Sequence, residues 1–219
     1  MSATTRARLQ AATVAIAPAV LLAGFVYHPY VADLTDKVAV AEALASDTTR
    51  WGLSHLAVGV GSGLAVLAFL AIRTYLRDAG EDRWSILAFP LVVLGSTLFT
   101  LLPAMEIGTL AAAEAGADVQ AVQTELDPWF FPILLAGAIV FGLGVLGFAL
   151  GIGHSGVLSP GLTRLVVGAL VVTAAARFVP FGAALYVGGV AAIVALWPLA
   201  YAMWKAAQPA GQPRPVPAT

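Results

Sequence analysis

The sequence predicts an all-α polytopic membrane protein, with six transmembrane helices and a short amphipathic interfacial helix in the first outer loop. Of its 219 residues, 60% are hydrophobic and only 11% are charged, and the mean hydropathy is +0.90. Soluble domains carry about 25% charged residues, so this chain has too little polar surface for a water-soluble fold. The apolar residues fall into six runs, and basic residues are concentrated on alternate connections between them.

Each of the six runs approaches or exceeds the roughly 20 residues that a helix needs to cross a hydrocarbon core of about 30 Å. Arg6 and Arg8 precede the first run, as basic residues precede the core of a signal peptide. Because that run is long and no small-residue cleavage motif follows it, we expect a retained helix. Pro180 and Gly182 divide the last two runs. The predicted spans are 9–31, 51–76, 84–108, 129–153, 162–179 and 181–204.

The remaining segments are predicted to connect or extend these spans. In 32–50, Leu34, Val38, Ala41 and Ala45 recur at helical spacing, which predicts an amphipathic helix lying at the interface. The alanine-rich, acidic segment 109–128 is predicted to extend the third span and then form a loop. Residues 1–207 thus form a predicted transmembrane domain, and the proline-rich residues 208–219 a disordered cytoplasmic tail.

The distribution of basic residues predicts the orientation of the chain in the membrane. With the N-terminus inside, eight of the eleven Lys and Arg residues fall on inner segments and three on outer ones. Both termini are therefore predicted to be cytoplasmic, in the cell membrane. The net charge of −1 and the absence of a basic block argue against a nucleic-acid partner. The inner set is Arg6, Arg8, Arg73, Arg77, Arg83, Arg164, Lys205 and Arg214; the outer set is Lys37, Arg50 and Arg177.

Two motifs carry a resemblance to a known family. The resemblance lies in two stretches, "VAEALASDTTRWGLSHL" and the later "SGVLSPGLTRLVVGAL". Through them the chain resembles a family of uncharacterised six-helix bacterial integral membrane proteins, which is classified only as a domain of unknown function. The resemblance implies a six-helix membrane fold and brings no activity with it. The matching residues are Ala41, Leu44, Ala45, Ser46, Arg50 and Gly52 in the first motif, and Ser155, Gly156, Leu158 and Pro160 in the second, where Ser159 is inserted.

Four polar side chains from four helices are predicted to lie in one outer layer of the bundle. The first helix runs outward, and a rise of 1.5 Å per residue places His28 about 28 Å along it, near the outer boundary. The second helix runs inward from the same boundary and carries His55 about 6 Å below it. The same measure places Glu106 about 30 Å and Arg177 about 22 Å along their helices. Small residues share the helix faces of these groups, which predicts that they point into the bundle. Aromatic residues of the same layer are Tyr27, Tyr30, Trp51, Trp129 and Tyr186.

This layer has three interpretations. In the first, Glu106 and Arg177 form a structural ion pair, and the His and aromatic residues are interface anchors. In the second, the layer is an outward-facing site that binds or transports a small solute, a proton or a lipid headgroup, with His28, His55, Glu106, Arg177, Tyr27, Trp51 and Tyr186 as binding residues. In the third, His28, His55 and Glu106 hold a divalent metal ion or haem.

No catalytic residue is predicted. The chain has no Cys, which excludes disulfides, thiol nucleophiles and thiolate ligands. A role as an accessory subunit of a membrane complex is a further alternative. Two small-residue faces, Gly59 with Gly63 and Gly147 with Gly151, are predicted to pack closely against neighbouring helices. His154 is predicted to be a solvated residue of an inner turn.

Overall fold

A computed structural model describes residues 2–208, which form seven α-helices joined by short connections. In this part of the chain the only strand-like pairing is an isolated bridge between Asp33 and Phe181. Beyond Gln208, the predicted disordered tail lies outside the described residues. The helices are α1 (Ala3–Tyr27), α2 (Lys37–Ser46), α3 (Thr48–Asp78), α4 (Arg83–Glu114), α5 (Val119–Ser155), α6 (Pro160–Ala176) and α7 (Gly182–Ala206).

Five of these helices, α1, α3, α4, α5 and α7, are long and apolar enough to cross a membrane. The prediction of an all-helical membrane protein is confirmed at that level. Helix α6 is also apolar but has only 17 residues, which corresponds to about 26 Å of helix. The sixth span and the interfacial position of α2 therefore stay predictions.

The six longest helices form a closed ring. Around the ring the order is α1, α3, α4, α5, α6 and α7, and α7 packs against α1. The core between them is apolar, and Phe69 is in edge or tilted contact with Phe141 and Phe148. The short helix α2 lies outside the ring and packs against α3 and α5 at one end of the bundle.

The two ends of the bundle are distinguished by different contacts. At one end, the guanidinium of Arg8 lies 5.5 Å from the ring of Trp204, so α1 begins beside the end of α7. At the other end, the segment between α1 and α2 pairs with the turn between α6 and α7: Leu34 N donates to Pro180 O, and Gly182 N to Ala32 O, each at 3.0 Å. We call this second end the cavity end.

Two pairs of helices approach closely at glycines. A Cβ on Gly95 of α4 would lie 2.6 Å from the backbone of Phe141 in α5, and a Cβ on Gly61 would lie 2.7 Å from Leu21 of α1. The predicted packing at Gly147 and Gly151 is confirmed, since a Cβ there would meet Ala88 and Glu81. The prediction for Gly63 is wrong, since it has no atom within 4 Å of its Cβ position. A Cβ on Gly59 would make only an ordinary contact, 3.9 Å from Pro103 of α4, and Gly61, on the other side of the helix, makes the close contact.

Helix α2 presents a different face from the predicted one. Its buried residues are Val40 and Leu44, which pack with Val31 and Trp51, whereas Val38 is 50% exposed. Asp36 caps the helix by accepting hydrogen bonds from the N–H groups of Val38 and Ala39. The cap fixes where the helix begins, and contacts with the end of the ring decide which face is buried.

Helix α5 begins ten residues earlier than predicted, so most of the expected loop is helical. Asp118 caps it by accepting from the N–H groups of Gln120 and Ala121. Pro128 and Pro132 lie inside the helix without ending it. At its other end, His154 lies in the last turn of α5 rather than in a loop.

Candidate functional site

A cavity of about 300 Å³ lies at the cavity end, enclosed by all six helices of the ring and by α2. His28, His55, Glu106 and Arg177, which belong to four different segments, all line it. Helix α1 ends just before His28, and the first two turns of α3 carry His55. The structure thus brings the four polar groups of the predicted layer into one space. A smaller cavity of about 40 Å³ adjoins it and also contacts Arg177.

Three aromatic rings form a cluster on one side of the cavity. The ring of His28 lies 4.6 Å from that of Trp51 and 4.9 Å from that of His55, and the Trp51 and His55 centroids are 4.7 Å apart. Trp51 is only 2% exposed. The cluster joins the end of α1 to the first two turns of α3.

The two imidazoles are held in the same way. Nδ1 of His28 lies 2.6 Å from the carbonyl oxygen of Pro29, and Nδ1 of His55 lies 2.8 Å from that of Trp51. A carbonyl can only accept, so Nδ1 donates in both rings. In the neutral imidazole, Nε2 then carries a free lone pair. Each histidine therefore offers an acceptor or a metal ligand to its surroundings.

Three buried polar atoms among the lining residues have no hydrogen-bond partner within residues 2–208. They are Nε1 of Trp51, Oε2 of Glu106 and Oε1 of Gln123, and they come from α3, α4 and α5. A buried polar atom without a partner costs about 1–3 kcal/mol. They are three of six such atoms within residues 2–208, the others being Nε of Arg73, Oε2 of Glu81 and Oγ of Ser96. A ligand or water in the cavity can satisfy the three that belong to its lining.

Arg177 is surrounded by aromatic rings. Its guanidinium carbon lies 4.5 Å from the centroid of Phe99, 5.4 Å from that of Phe141 and 6.0 Å from that of Phe25. These cation–π contacts partly replace the hydration that burial removes. Within residues 2–208, the ion pairs are Lys37–Asp127, Arg73–Asp82 and Arg77–Asp78. The ion pair of the first interpretation, between Glu106 and Arg177, is therefore not formed, and both side chains line the cavity without a charged partner among these residues.

One ion pair lies at the edge of the cavity nearest α2. Lys37 of α2 donates to Asp127 and, at 3.1 Å, to Thr124, which ties α2 to α5. Nearby, the hydroxyl and the N–H of Thr35 both donate to the Asp33 carboxylate. These hydrogen bonds, the hydroxyl one most, lower the pKa of that carboxyl. Lys37, Thr35 and Asp127 all line the cavity, so this edge is polar.

Part of the rim is apolar. Phe131 of α5 and Phe178, just after α6, line the cavity with side chains that are 45% and 52% exposed. The rim of the cavity thus carries both charged groups and exposed phenylalanines.

Three comparisons with known proteins gave no match: no family model, no curated protein and no solved structure is similar to this chain. The functional interpretation consequently depends on the site itself.

The other predicted aromatic residues lie outside the cavity lining. Tyr27 is exposed and lies under the guanidinium of Arg50, which also donates from Nε to the Tyr27 carbonyl. Tyr186 stacks with Tyr30 at 6.2 Å. Trp129 is 69% exposed on the surface of α5. Only Trp51 of this aromatic set lines the cavity.

Sequence reasoning missed the contribution of α5 to the site. Gln123, Asp127, Phe130 and Leu134 line the cavity and recur at the spacing of one helix face. The signal that could have revealed them is Asp118, a good N-cap residue placed just before this face. Because the alanine-rich, acidic segment 109–128 was predicted to extend the third span and then form a loop, the face was not recognised.

The arrangement of donors limits what the site can hold. Within the described residues, no group of three or more His, Asp or Glu side chains lies close enough together to hold a metal ion, so Glu106 does not complete a triad with the two histidines. Two imidazoles on opposite sides of a haem iron would hold their centroids about 6 Å apart, given metal–nitrogen bonds of about 2.0 Å. At 4.9 Å, His28 and His55 do not fit as a pair of axial haem ligands.

Proposed function

We propose that this membrane protein binds a small amphipathic solute in the cavity, as part of a transport or sensing function. The observation that carries the proposal is the set of unpartnered polar atoms on Trp51, Glu106 and Gln123, all on lining residues of one cavity. A solute with both donors and acceptors would satisfy them. Ligand sites are typically apolar cavities of roughly 300–1,000 Å³ with a few convergent polar groups, and this cavity fits the lower end.

The shape and charge of the lining support an amphipathic ligand. Phe25, Phe99 and Phe130 provide an apolar surface for a hydrocarbon body. Glu106 and Arg177 provide opposite charges that are not paired with each other. In a low-dielectric site a ligand charge interacts strongly with such groups. The headgroup is therefore expected to contact Glu106, Arg177 or both.

A panel of eight-carbon probes tests this proposal. Octanoate, octylamine and octanol share one tail and differ in headgroup charge, and each is added to the protein in lipid nanodiscs, where no detergent competes for the cavity. We expect at least one probe to raise the melting temperature, because a ligand that binds the folded state stabilises it by mass action. The probe that is effective identifies the preferred headgroup charge.

The matched control for the panel is a carboxylate on the same helix. Glu106→Gln is expected to reduce or abolish the rise produced by octylamine, whereas Glu114→Gln, at an exposed residue of α4 outside the cavity lining, should leave it unchanged. Equal rises with octylamine in wild type and Glu106→Gln would mean that octylamine acts elsewhere. No rise with any probe at concentrations up to solubility would count against solute binding.

Several finer predictions belong to the same proposal. They are the sixth span, membership of the six-helix bacterial family, the cytoplasmic position of both termini, and a cavity that faces outward in the cell membrane. The contact between Arg8 and Trp204 supports termini on one common side. A role as an accessory subunit predicts a different outcome, namely co-purifying subunits and loss of stability when the chain is expressed alone.

A further inference from the structure

His28 and His55 form a pair whose geometry suits a shared metal ion. Their ring centroids are 4.9 Å apart and their planes are inclined by 69°. Two imidazoles that bind one tetrahedral ion through nitrogen, at about 2.0–2.1 Å, hold their centroids about 5 Å apart. The two rings already lie at this separation, although one belongs to the end of α1 and the other to α3.

The second nitrogen of each ring is held as it is in metal-ligating histidines. Such residues almost always donate the N–H that does not face the metal to a carboxylate, a backbone carbonyl or water, which fixes the tautomer and the ring orientation. Here both Nδ1 atoms donate to backbone carbonyls, of Pro29 and Trp51. Both Nε2 atoms are left as ligands, with no hydrogen-bond partner among residues 2–208.

We propose that His28 and His55 bind one divalent first-row transition-metal ion, of the Zn²⁺ class, through their Nε2 atoms. Imidazole suits Zn²⁺, Cu²⁺ and Ni²⁺. No third side chain within residues 2–208 completes the set, so the other coordination positions face the cavity and are filled by water or solute. Glu106 lines the same cavity, and its carboxyl group favours a cation there when it is ionised. This proposal does not depend on binding of an amphipathic solute.

Zinc binding by the purified full-length protein, carrying no polyhistidine tag, tests the proposal. The protein is incubated with Zn²⁺, desalted, and analysed for metal content and melting temperature before and after EDTA. We expect about one Zn²⁺ per chain and a rise in melting temperature that EDTA reverses, because a metal that binds only the folded state stabilises it. Wild-type protein that retains no zinc and shows no rise would overturn the proposal.

Three single variants locate the metal. His28→Phe and His55→Phe keep an aromatic ring against Trp51 but remove both ring nitrogens, the ligand Nε2 and the Nδ1 that donates to a backbone carbonyl. Each is expected to lose the bound zinc. The control is His154→Phe, since His154 makes the same Nδ1 contact, with Leu150 O at 2.7 Å, but lies in the last turn of α5 with no second histidine beside it. Zinc retained by both His28→Phe and His55→Phe would overturn the proposal, even if the wild type binds.

Discussion

Replacing Gly95 by alanine is expected to destabilise the protein by about 3 kcal/mol or more, or to prevent its folding. The added Cβ would lie 2.6 Å from the N, Cα and Cβ atoms of Phe141. Overpacking a well-packed interior costs about 1–3 kcal/mol when side chains can adjust. Here two of the three neighbouring atoms are backbone, so α4 and α5 would have to separate. Thermal unfolding and the yield of monodisperse protein measure the effect.

Gly63→Ala provides the matched control, because Gly63 lies inside α3 with nothing within 4 Å of its Cβ position. The same substitution there adds a methyl group without a collision. It should leave stability unchanged or raise it by up to about 1 kcal/mol, since alanine has the higher helix propensity. Equal stability of Gly95→Ala and Gly63→Ala would contradict the close approach of α4 and α5 at Gly95 and Phe141.

Glu106→Met is expected to have the opposite effect and to stabilise the ligand-free protein by about 1–3 kcal/mol. Oε2 of Glu106 is buried, and neither carboxylate oxygen has a hydrogen-bond or ion-pair partner within residues 2–208. Replacing such a group by an apolar one of similar length removes its desolvation penalty without breaking a contact. The same variant is expected to lose stabilisation by octylamine, the cationic eight-carbon probe.

The comparison variant for this experiment is Glu114→Met, on the exposed surface of the same helix. Surface substitutions of this kind change stability by no more than about 0.5 kcal/mol. A Glu106→Met protein that melts below the wild type would indicate that the carboxylate stabilises the fold, and the site would then be structural. A rise in stability combined with lost probe binding is the pattern of a residue kept for function.

The sequence was sufficient to place the polar groups of the site along their helices. The predicted spans and the rise per residue put His28, His55, Glu106 and Arg177 in one outer layer, and the structure brings all four to one cavity. Depth could be predicted because hydropathy marks the spans and a helix has a constant rise.

Lateral position was harder to predict. The small-residue pattern favoured Gly59 and Gly63, yet the contact with α1 is made by Gly61. Glycine at every second position puts small residues on two sides of α3, so the pattern does not tell which side packs against a neighbouring helix. Pairing of Glu106 with Arg177 was one of three interpretations of the layer, but Arg177 lies among phenylalanine rings instead. Which neighbour a face meets depends on the whole ring of helices.

The start of α5 was missed for a different reason. Its first turns carry Gln123 and Asp127 and are too polar to register as part of a span. Hydropathy detects lipid contact, whereas these turns contact α2 and the cavity. A search for apolar runs therefore does not detect the polar first turns of a helix. In α5 the residue that marks them is the N-cap, Asp118.

The exposed phenylalanines at the cavity rim, Phe131 and Phe178, affect how any affinity should be measured. In the proposed membrane setting, a solute that enters past them comes from the hydrocarbon phase, where an eight-carbon molecule accumulates in proportion to its partition coefficient. At equilibrium that coefficient links the mole fraction of solute in the lipid to its free concentration in water, so the share taken up by lipid must be known before an affinity is calculated. Dissociation constants calculated from the total solute concentration should rise with the lipid concentration. They should converge once they are expressed as the mole fraction of solute in the lipid.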